Sequence, residues 1–572
     1  MFNLLRVEAI NFDQSITDTN QLSVMRGGGL AMREAISILW ECLDQTLNGN
    51  DTAEITKVSI GGSIGIFIFD DALPESRVLE ETLIAALTGG TPGRPSQDLG
   101  RLGDFAEKFG STSVGSLCAI LSFAIAIEAI DSRKSDVDEI EYDCFIAANE
   151  RALQSIRLSQ LKQSNVVINE AASDLVCPWD GRRPATHRIG TAVSATNELI
   201  VSQPVAARFD FGRHAKRDSA PARFYSREIE KGCRGPDDQE FARLKAKFDS
   251  VLRNEAHQGG RRKPALPNDF SDLVADWGSE QTRRKLAVIY ADGNKFSSIM
   301  RKNVSSLADY QSWDEMLQRE RGRFLLEFVL WLSGKRPQDG PIPIEMLLWG
   351  GDEVMFVIPA ELALEGISRF FQFNRHMAWA GQRLTHSLGI VICSYKTPIH
   401  KISDLARNLA EHVKGAIGDS PEQQIDAWQY AVLESVDTPT QLDRFFQRRY
   451  DEMHKSLTPL LVSDLDFSEQ LEIAEKINNR IPRSQLYMIA RELSGNPDSR
   501  EAINRFETVA EAEAKSISGE ISEILPTFGN SRSHEIDPWS FLHWAELLDY
   551  WPLTPSTSRS AGQATAETRV AT

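Results

Sequence analysis

PIPIEMLLWGGDEVMFVIPA, residues 341–360, is the stretch of sequence that decides the fold. Two apolar runs, Ile344–Trp349 and Val354–Ile358, flank the four residues Gly350, Gly351, Asp352 and Glu353. Strand-forming residues on both sides of a short loop with two glycines predict a β-hairpin. The hairpin tip then carries two adjacent carboxylates on a rigid element. A solvated acidic turn would explain this hairpin equally well if it stood alone.

A second acidic position favours a functional role for the hairpin over a solvated turn. The segment Leu286–Phe296, LAVIYADGNKF, predicts a buried strand that ends at Asp292. An acid at a strand end beside a carboxylate hairpin is what a palm-type nucleotidyltransferase needs. Mg²⁺ prefers oxygen ligands and is held by few carboxylates plus substrate phosphates. Two such ions, Mg²⁺ or Mn²⁺, activate a hydroxyl and stabilise the departing pyrophosphate. We expect Asp292 and Asp352 as metal ligands, Glu353 as a further ligand or a stabiliser of the attacking hydroxyl, and the Gly293 carbonyl to complete the shell.

The surrounding sequence predicts that residues 286–418 form one α+β domain. A helix over Glu361–Ala380, a strand over Leu384–Ile392 and a helix over Ser403–Lys414 follow the hairpin. Strand–helix–strand–strand–helix–strand is the ferredoxin-like order, an antiparallel sheet backed by helices. Lys295 and Lys414 could reach nucleotide phosphates, although lysines on helix surfaces are usually only solvated.

Residues 1–165 look like an earlier copy of the same domain. A strand over Leu4–Ile10 is followed by a glycine-rich turn at Arg26–Gly29, a helix from Leu30 and a hairpin over Lys57–Phe69. The domain would be completed by a last central strand over Leu117–Ile127 and the helix Tyr142–Gln163. Periodicity alone also allows a buried helix over Leu117–Ile127.

Alignment of the two hairpins predicts that the first copy has lost its metals. Setting Gly61 and Gly62 on the second glycine pair places Ser63 and Ile64 where the two acids stand, and Ile10 falls opposite Asp292. All three carboxylates are then absent. We expect this copy to be a scaffold, or one wall of a substrate pocket around Gly61, Gly62 and Ser63.

The segment 166–285 predicts an irregular, basic insert. Residues 181–285 hold 21 Lys and Arg against 14 Asp and Glu, a surplus of +7 within a chain of net charge −18. A surface loop region and a patch that faces RNA or phosphate explain this surplus equally well. Cys177 begins half a zinc knuckle whose second position is Asp180, and Cys233 is the one later cysteine in this segment. Structural zinc takes four ligands, so we expect a knuckle without zinc, with Cys177 and Cys233 as the candidate ligands.

The remaining features concern the C-terminal part and the cell compartment. Residues 419–555 predict a helical bundle, and the Ser-, Thr- and Ala-rich tail 556–572 predicts disorder. Six scattered cysteines, no signal peptide and no apolar membrane span are typical of a cytoplasmic protein. The negative net charge argues against a general nucleic-acid coat.

Taken together, these motifs resemble the large palm-domain subunit of type III CRISPR effector complexes. The resemblance is carried by YADGNKF at 290–296, GGDEV at 350–354, SYKTPIHKISDLA at 394–406, IPRSQLY at 481–487, the Arg-Gly-Gly motif within 19–30, the degenerate first hairpin and the broken knuckle. It implies tandem palm domains, related to the GGDEF-like cyclases, of which the second converts ATP to cyclic oligoadenylate when the complex binds target RNA. It also implies CRISPR-type protein subunits and guide and target RNA as partners.

The sequence departs from this family in two ways. No histidine precedes His187, so we expect no His-Asp nuclease in the first 186 residues. The usual Asp-Asp of the family hairpin is Asp352-Glu353 here, which leaves metal spacing and product open. Two alternatives also stay open: a non-catalytic scaffold of an RNA-guided complex, and a cyclic dinucleotide synthase that uses GTP. Conjugation of AMP to another small molecule is a further possible outcome.

Overall fold

The computed structural model describes most of residues 2–450 and a few residues beyond. The exceptions before residue 450 are 11–15, 17, 49–54, 71–75, 89–100, 119, 133, 135, 163–174, 192–193, 214–219, 254–256, 259–260, 263–265, 278–281, 337–339, 419–423, 435–437 and 440; the described residues after 450 are 460–461, 484, 487–488, 491–492, 546–547 and 550. Most of the predicted helical bundle and all of the predicted disordered tail therefore lie outside the described residues.

The first domain is a four-stranded antiparallel sheet with helices. Its elements are β1 (Phe2–Ala9), α1 (Leu22–Leu47), β2 (Ile55–Gly61), β3 (Ile64–Asp70), α2 (Ser76–Leu87), α3 (Arg101–Gly110), α4 (Gly115–Cys118), β4 (Phe123–Ile130) and α5 (Tyr142–Lys162). The strand order β2-β3-β1-β4 is the ferredoxin-like order. Strand β1 is buried along its whole length between two apolar clusters, because it is central and covered on both faces.

Two expectations for this domain are wrong. Arg26–Gly29 is not a turn but part of helix α1. A Cβ on Gly27 would lie 1.9 Å from the carbonyl oxygen of Arg208, so glycine is needed there for close packing rather than for a turn. The last strand begins at Phe123 rather than Leu117, and it is an edge strand that pairs with β1.

The insert contains short strands and amphipathic helices. Its elements are β5 (His187–Thr191), β6 (Ser194–Val201), α6 (Gln203–Gly212), α7 (Ala220–Glu230), α8 (Gln239–Arg253), β7 (His257–Gln258), β8 (Arg261–Arg262) and α9 (Phe270–Val274). The segment predicted as irregular is therefore more ordered than expected, since four of its helices are present among the described residues.

The second domain repeats the first and extends it. Its elements are β9 (Lys285–Gly293), α10 (Phe296–Asn303), α11 (Leu307–Lys335), β10 (Glu345–Trp349), β11 (Glu353–Pro359), α12 (Ala363–Asn374), β12 (Ala378–Trp379), β13 (Gln382–Arg383), β14 (His386–Ser394), α13 (Ile399–Ile417) and β15 (Ala427–Val432). The strand order β10-β11-β9-β14 matches the first sheet, and β15 adds to β14 in parallel. The prediction that the chain is helical from about residue 420 is therefore wrong for the segment that forms β15. Helix α14 (Leu442–Tyr450) and strand β16 (Leu460–Leu461) follow.

The α+β class with tandem ferredoxin-like domains is confirmed. By its internal contacts the chain divides into two compact units, the first formed by Met1–Ala360, Arg369–Leu442 and Thr458–Leu460, the second by Glu361–Ser368, Asp443–Leu457 and Leu461–Thr572. The site described below lies within the first unit. Among the described residues, no helix is long and apolar enough to cross a membrane.

The two domains agree in register, which corrects the alignment of their acids. Glu8 pairs with Ile64 across β1 and β3 as Asp292 pairs with Glu353 across β9 and β11. The Ala9 amide donates to the Ser63 carbonyl at 2.9 Å, as the Gly293 amide donates to Asp352 at 3.1 Å. Glu8, rather than Ile10, is therefore the counterpart of Asp292. One of the three acidic positions is retained in the first domain.

Candidate active site

Two strands and one hairpin tip bring three acids together at one edge of the second sheet. Asp292 is at the end of β9 and Glu353 begins β11, and the two are directly paired in the antiparallel ladder. Asp352 precedes Glu353 in the tip, and its carbonyl accepts the Gly293 amide. Asp292 is 6% exposed, whereas Asp352 and Glu353 are half-buried. We call Asp292, Asp352 and Glu353 the carboxylate cluster.

Burial and repulsion from neighbouring carboxylates disfavour negative charge on Asp292 and Glu353. Burial raises the pKa of Asp292, the Lys414 ammonium opposes this, and Asp352 raises the pKa further. Burial, and then the charges of Asp292 and Asp352, raise the pKa of Glu353 against the pull of Arg407. Like charges that raise each other's pKa are a feature of sites built to meet a cation or to transfer protons.

One of the two predicted phosphate-binding lysines binds the carboxylate cluster itself, and the other lies three residues after Asp292. The Lys414 ammonium, on helix α13, forms a hydrogen-bonded ion pair with the Asp292 carboxylate. Lys295 is half-buried at the start of helix α10 and has a left-handed backbone with φ of 57°. Such a backbone is unusual for a residue other than glycine, and it turns the chain sharply just after Asp292.

Arg321 of helix α11 holds the hairpin tip and was not found from the sequence. Its Nε donates to the Gly351 carbonyl at 3.1 Å, and its Nη2 donates to the Asp352 carbonyl at 3.4 Å and to His386 at 2.8 Å. Its Nη1 donates to Asn374 at 3.2 Å. Burial lowers the pKa of Arg321 to about 10, against the pull of Asp352 and Asp292. The sequence has no signal for this role, because Arg321 stands in a run of charged helix residues, RERGR.

A polar network beside Asp292 likewise has no signal in the sequence. The side-chain amide of Asn294 donates from Nδ2 to the Thr385 hydroxyl at 3.1 Å and to the Ile425 carbonyl at 3.0 Å. The Ser387 hydroxyl, on the residue paired with Asp292, donates to Asn294 at 2.7 Å. These groups are buried and fix the chain immediately after the acid.

The predicted glycines serve close backbone approach. The Gly350 amide donates to the Glu353 carbonyl at 2.7 Å and closes the tip. A Cβ on Gly351 would lie 3.3 Å from Leu317, and one on Gly293 would lie 2.6 Å from the Phe296 ring. Any side chain at Gly293 would therefore have to displace the Phe296 ring of helix α10.

The first hairpin tip lies beside the second hairpin. A Cβ on Gly61 would be 3.6 Å from Asp314 of helix α11, and one on Gly62 would be 3.9 Å from the Trp349 carbonyl. Ser63 follows in the same turn, where Gly62 has φ of 58°. The structure therefore brings Gly61, Gly62 and Ser63 next to the strand that leads into the second tip.

The knuckle-like segment is held by an ionic network. Asp180 accepts the amides of Arg182 and Arg183 at 2.9 and 3.1 Å and the Ser202 hydroxyl at 2.8 Å. Cys177 packs in an apolar cluster, while Cys233 is exposed and contacts the Gly235 carbonyl. The expectation that this segment holds no zinc stays a prediction.

The donor chemistry of the carboxylate cluster fits Mg²⁺ or Mn²⁺, since it offers carboxylate and backbone oxygens. In the part of the chain that the structure describes, however, no group of three or more His, Cys, Asp or Glu side chains has a geometry that could hold a metal ion. The Lys414 ammonium lies against one of the candidate ligands. The number of ions and their ligands therefore stay predictions.

Comparison with known proteins identifies the domain that carries the cluster. Residues 285–419 match the Cas10/Cmr2 second palm domain. The predicted resemblance to the large palm-domain subunit of type III CRISPR complexes is thus confirmed for this palm domain. The match covers about a quarter of the 572 residues.

Solved structures resemble the chain more weakly. The crystal structure of a Csm1-Csm4 cassette in complex with cA4 is 13% identical, with 96% of this chain and 70% of that chain covered and a TM-score of 0.45. Csm1 in T.onnurineus is 14% identical, with 96% and 69% covered and a TM-score of 0.43. The Csm1-Csm4 subcomplex of the type III-A CRISPR-Csm interference complex is 13% identical, with 96% and 70% covered and a TM-score of 0.45. No curated protein matches the chain.

Proposed function

We propose that the second palm domain is the catalytic domain of a nucleotidyltransferase that makes a cyclic oligoadenylate-type second messenger from ATP in CRISPR antiphage defence. The observation that carries this proposal is the direct pairing of Asp292 with Glu353, beside Asp352, in a domain that matches the Cas10/Cmr2 second palm. The partners in this proposal are CRISPR-type protein subunits and guide and target RNA.

In the proposed reaction, the 3′-hydroxyl of one nucleotide attacks the α-phosphorus of the next ATP, and the bond to pyrophosphate breaks. The carboxylate cluster would hold Mg²⁺ or Mn²⁺, which when bound supplies positive charge for the triphosphate and acidifies the hydroxyl. The chain's own residues position these acids. Arg321 and the Gly293 amide fix the Asp352 backbone, and the Tyr290 hydroxyl hydrogen-bonds Glu353. Pre-oriented groups of this kind account for much of enzymatic rate enhancement.

Lys414 has two roles in this proposal. In the structure its ammonium neutralises part of the charge on Asp292. Its side chain is 26% exposed, so the ammonium could also contact the triphosphate of a nucleotide bound beside the carboxylate cluster. Lys295, at the turn after Asp292, is the second candidate for phosphate contact.

The scaffold alternative is favoured by one observation, the same ion pair. An acid already neutralised by a lysine needs no metal for stability, and a palm that only shapes an RNA channel could keep such a pair. The two functions differ in whether any nucleotide product forms.

Mass spectrometry of reaction products tests the proposal. The full chain, with and without its co-purifying proteins and RNA, is incubated with Mg²⁺ or Mn²⁺ and each of the four NTPs. We expect linear or cyclic oligoadenylate from ATP, and none from a variant with Asp352→Asn and Glu353→Gln, which keeps the size of both side chains. Product from GTP alone would favour the cyclic dinucleotide synthase. Undiminished product from the double variant would show that the site assignment is wrong, and no product in any condition would favour the scaffold.

A further inference from the structure

One helix of the second palm domain contacts both hairpin tips. Helix α11 presents Gln311, Asp314, Gln318 and Arg321 at spacings of three, four and three residues, which place them on one stripe of the helix. The first three contact the first hairpin and Arg321 contacts the second. Asp314 and Arg321 are seven residues apart, about 10 Å along the helix axis. The two tips are therefore anchored on two turns of one rigid element.

The contacts to the first hairpin satisfy the edge of its sheet. Strand β2 is one of the two edge strands of the first sheet, and edge strands carry unpaired amides and carbonyls. Gln318 donates to the Ile60 carbonyl at 3.0 Å, and Gln311 donates to the Lys57 carbonyl at 3.1 Å. Asp314 accepts hydrogen bonds from the Ser59 side chain and the Ile60 amide. Three of these four contacts are to main-chain groups, so they fix where the strand lies.

The contacts to the second hairpin fix the backbone that carries an acid. Arg321 donates to the carbonyls of Gly351 and Asp352, and the Asp352 carbonyl also accepts the Gly293 amide. The Asp352 backbone is thus held from two sides, by helix α11 and by the residue after Asp292. Arg33 of the first domain adds a tie between the domains, because it donates to the Trp349 carbonyl at 2.5 Å.

We propose that Asp314, Gln318 and Arg321 of helix α11 are positioning residues that set the distance between the two hairpin tips for nucleotidyl transfer. This inference rests on the proposed function of the same site. It adds that the first palm contributes to the reaction through the placement of its tip against the second palm, although it lacks two of the acids.

Gln318 and Gln311 form a matched pair for the test. Each donates one hydrogen bond to a carbonyl of β2, but Gln318 holds Ile60 beside the tip and Gln311 holds Lys57, three residues farther away. Replacing either with alanine removes one hydrogen bond to a carbonyl of β2, and Gln318→Ala also removes the bond that Gln318 donates to Asp314 at 2.5 Å. A purely structural role therefore predicts a difference in stability alone, whereas the positioning role predicts that only Gln318→Ala also changes kcat.

The first measurement is hydrogen exchange by mass spectrometry on the full chain, which does not depend on any activity. We expect Gln318→Ala to speed exchange in residues 55–70 and Arg321→Lys to speed exchange in residues 345–359. Lysine keeps the positive charge but lacks the planar fork of donors with which Arg321 reaches Gly351, Asp352, Asn374 and His386 together, so it serves as a second variant in case Arg321→Met does not fold. Unchanged exchange at both tips in these two variants would overturn the inference, even if the wild type proves inactive.

The second measurement is steady-state kinetics with ATP in the complex that makes product. We expect Gln318→Ala to lower kcat about 10- to 100-fold, as misplacement of reacting groups does, with KM within about two-fold. Arg321→Lys should lie between the wild type and Arg321→Met, and Gln311→Ala should match the wild type. Equal kcat values for Gln318→Ala and Gln311→Ala would overturn the positioning role. Absence of product from the wild type would instead count against the proposed function, and the exchange result alone would then decide the inference.

Discussion

Lys414→Met is the substitution whose effect the structure defines best. The Lys414 and Asp292 side chains are 26% and 9% exposed and form an ion pair at the carboxylate cluster. Methionine keeps most of the length and apolar stem of lysine but removes the ammonium. Asp292 would then remain buried beside two further carboxylates without its cation, so we expect the metal-free protein to lose stability.

The magnitude follows from the burial of the pair. Breaking a buried ion pair costs about 3–5 kcal/mol, because it leaves one charge uncompensated. The Lys414 side chain is about one-quarter exposed, so water and a higher pKa of Asp292 recover part of this, and we expect a loss of about 2–3 kcal/mol. Adding Asp292→Asn to Lys414→Met removes the uncompensated charge. The double variant should therefore be about 1–3 kcal/mol more stable than the sum of the two single effects predicts.

The assay is urea unfolding of the full chain in EDTA, with Lys401→Met as the control. Lys401 lies on the same helix and is exposed, so its loss should change stability by less than about 0.5 kcal/mol. Mg²⁺ or Mn²⁺ should restore Lys414→Met more than it stabilises the wild type, since ligand binding to the folded state adds stability by mass action. Equal effects of Lys414→Met and Lys401→Met, or additive effects with Asp292→Asn, would refute the reasoning.

Two further predictions concern packing and pH. Gly27→Ala places a Cβ 1.9 Å from the Arg208 carbonyl and should cost at least about 2 kcal/mol in thermal unfolding, whereas Gly29→Ala, with no atom nearer than 3.8 Å, should stabilise by about 0.5–1 kcal/mol. Burial raises the pKa of Asp426 from 3.8 to about 6, although the His386 amide opposes this. The folded state therefore binds this proton more tightly than the unfolded state does. The free energy of unfolding should fall by up to about 3 kcal/mol as pH rises from about 4 through 6. Urea unfolding at several pH values should show this fall in the wild type and not in Asp426→Asn.

The sequence predicted the elements that depend on local pattern. Apolar runs on both sides of a glycine-containing loop predict the two hairpins, and the continuous apolar run before Asp292 predicts the strand that ends there. These features predict the ferredoxin-like order, and the structure has it in both domains. The segment Arg26–Gly29 was misassigned because three glycines in a row favour a turn locally, whereas packing against α6 makes small residues necessary within a helix.

The positioning groups could not be predicted, because they depend on contacts that are distant in sequence. Arg321 lies 30 residues from the carbonyl of Gly351 that it binds, and Gln318 lies 258 residues from that of Ile60. Neither residue type is unusual on a helix surface. Only the packing of α11 against both sheets makes these side chains donors to backbone groups.

Register and local charge, finally, support the prediction that only the second of the two copies binds a divalent cation. The first domain keeps Glu8 at the position of Asp292, but Arg6 on the same strand binds it through Nε at 3.2 Å and through Nη2, and donates from Nη1 to Asn149 at 2.8 Å. The arginine balances the charge of this one acid, so a metal ion would have to break a buried ion pair to bind there. In the second domain the three carboxylates and Glu411 interact with Lys414, Arg407 and Arg321, which leaves one negative charge in excess. Because a buried excess of negative charge is stabilised by a cation, the second domain rather than the first should bind metal even though both retain an acid at the same strand position.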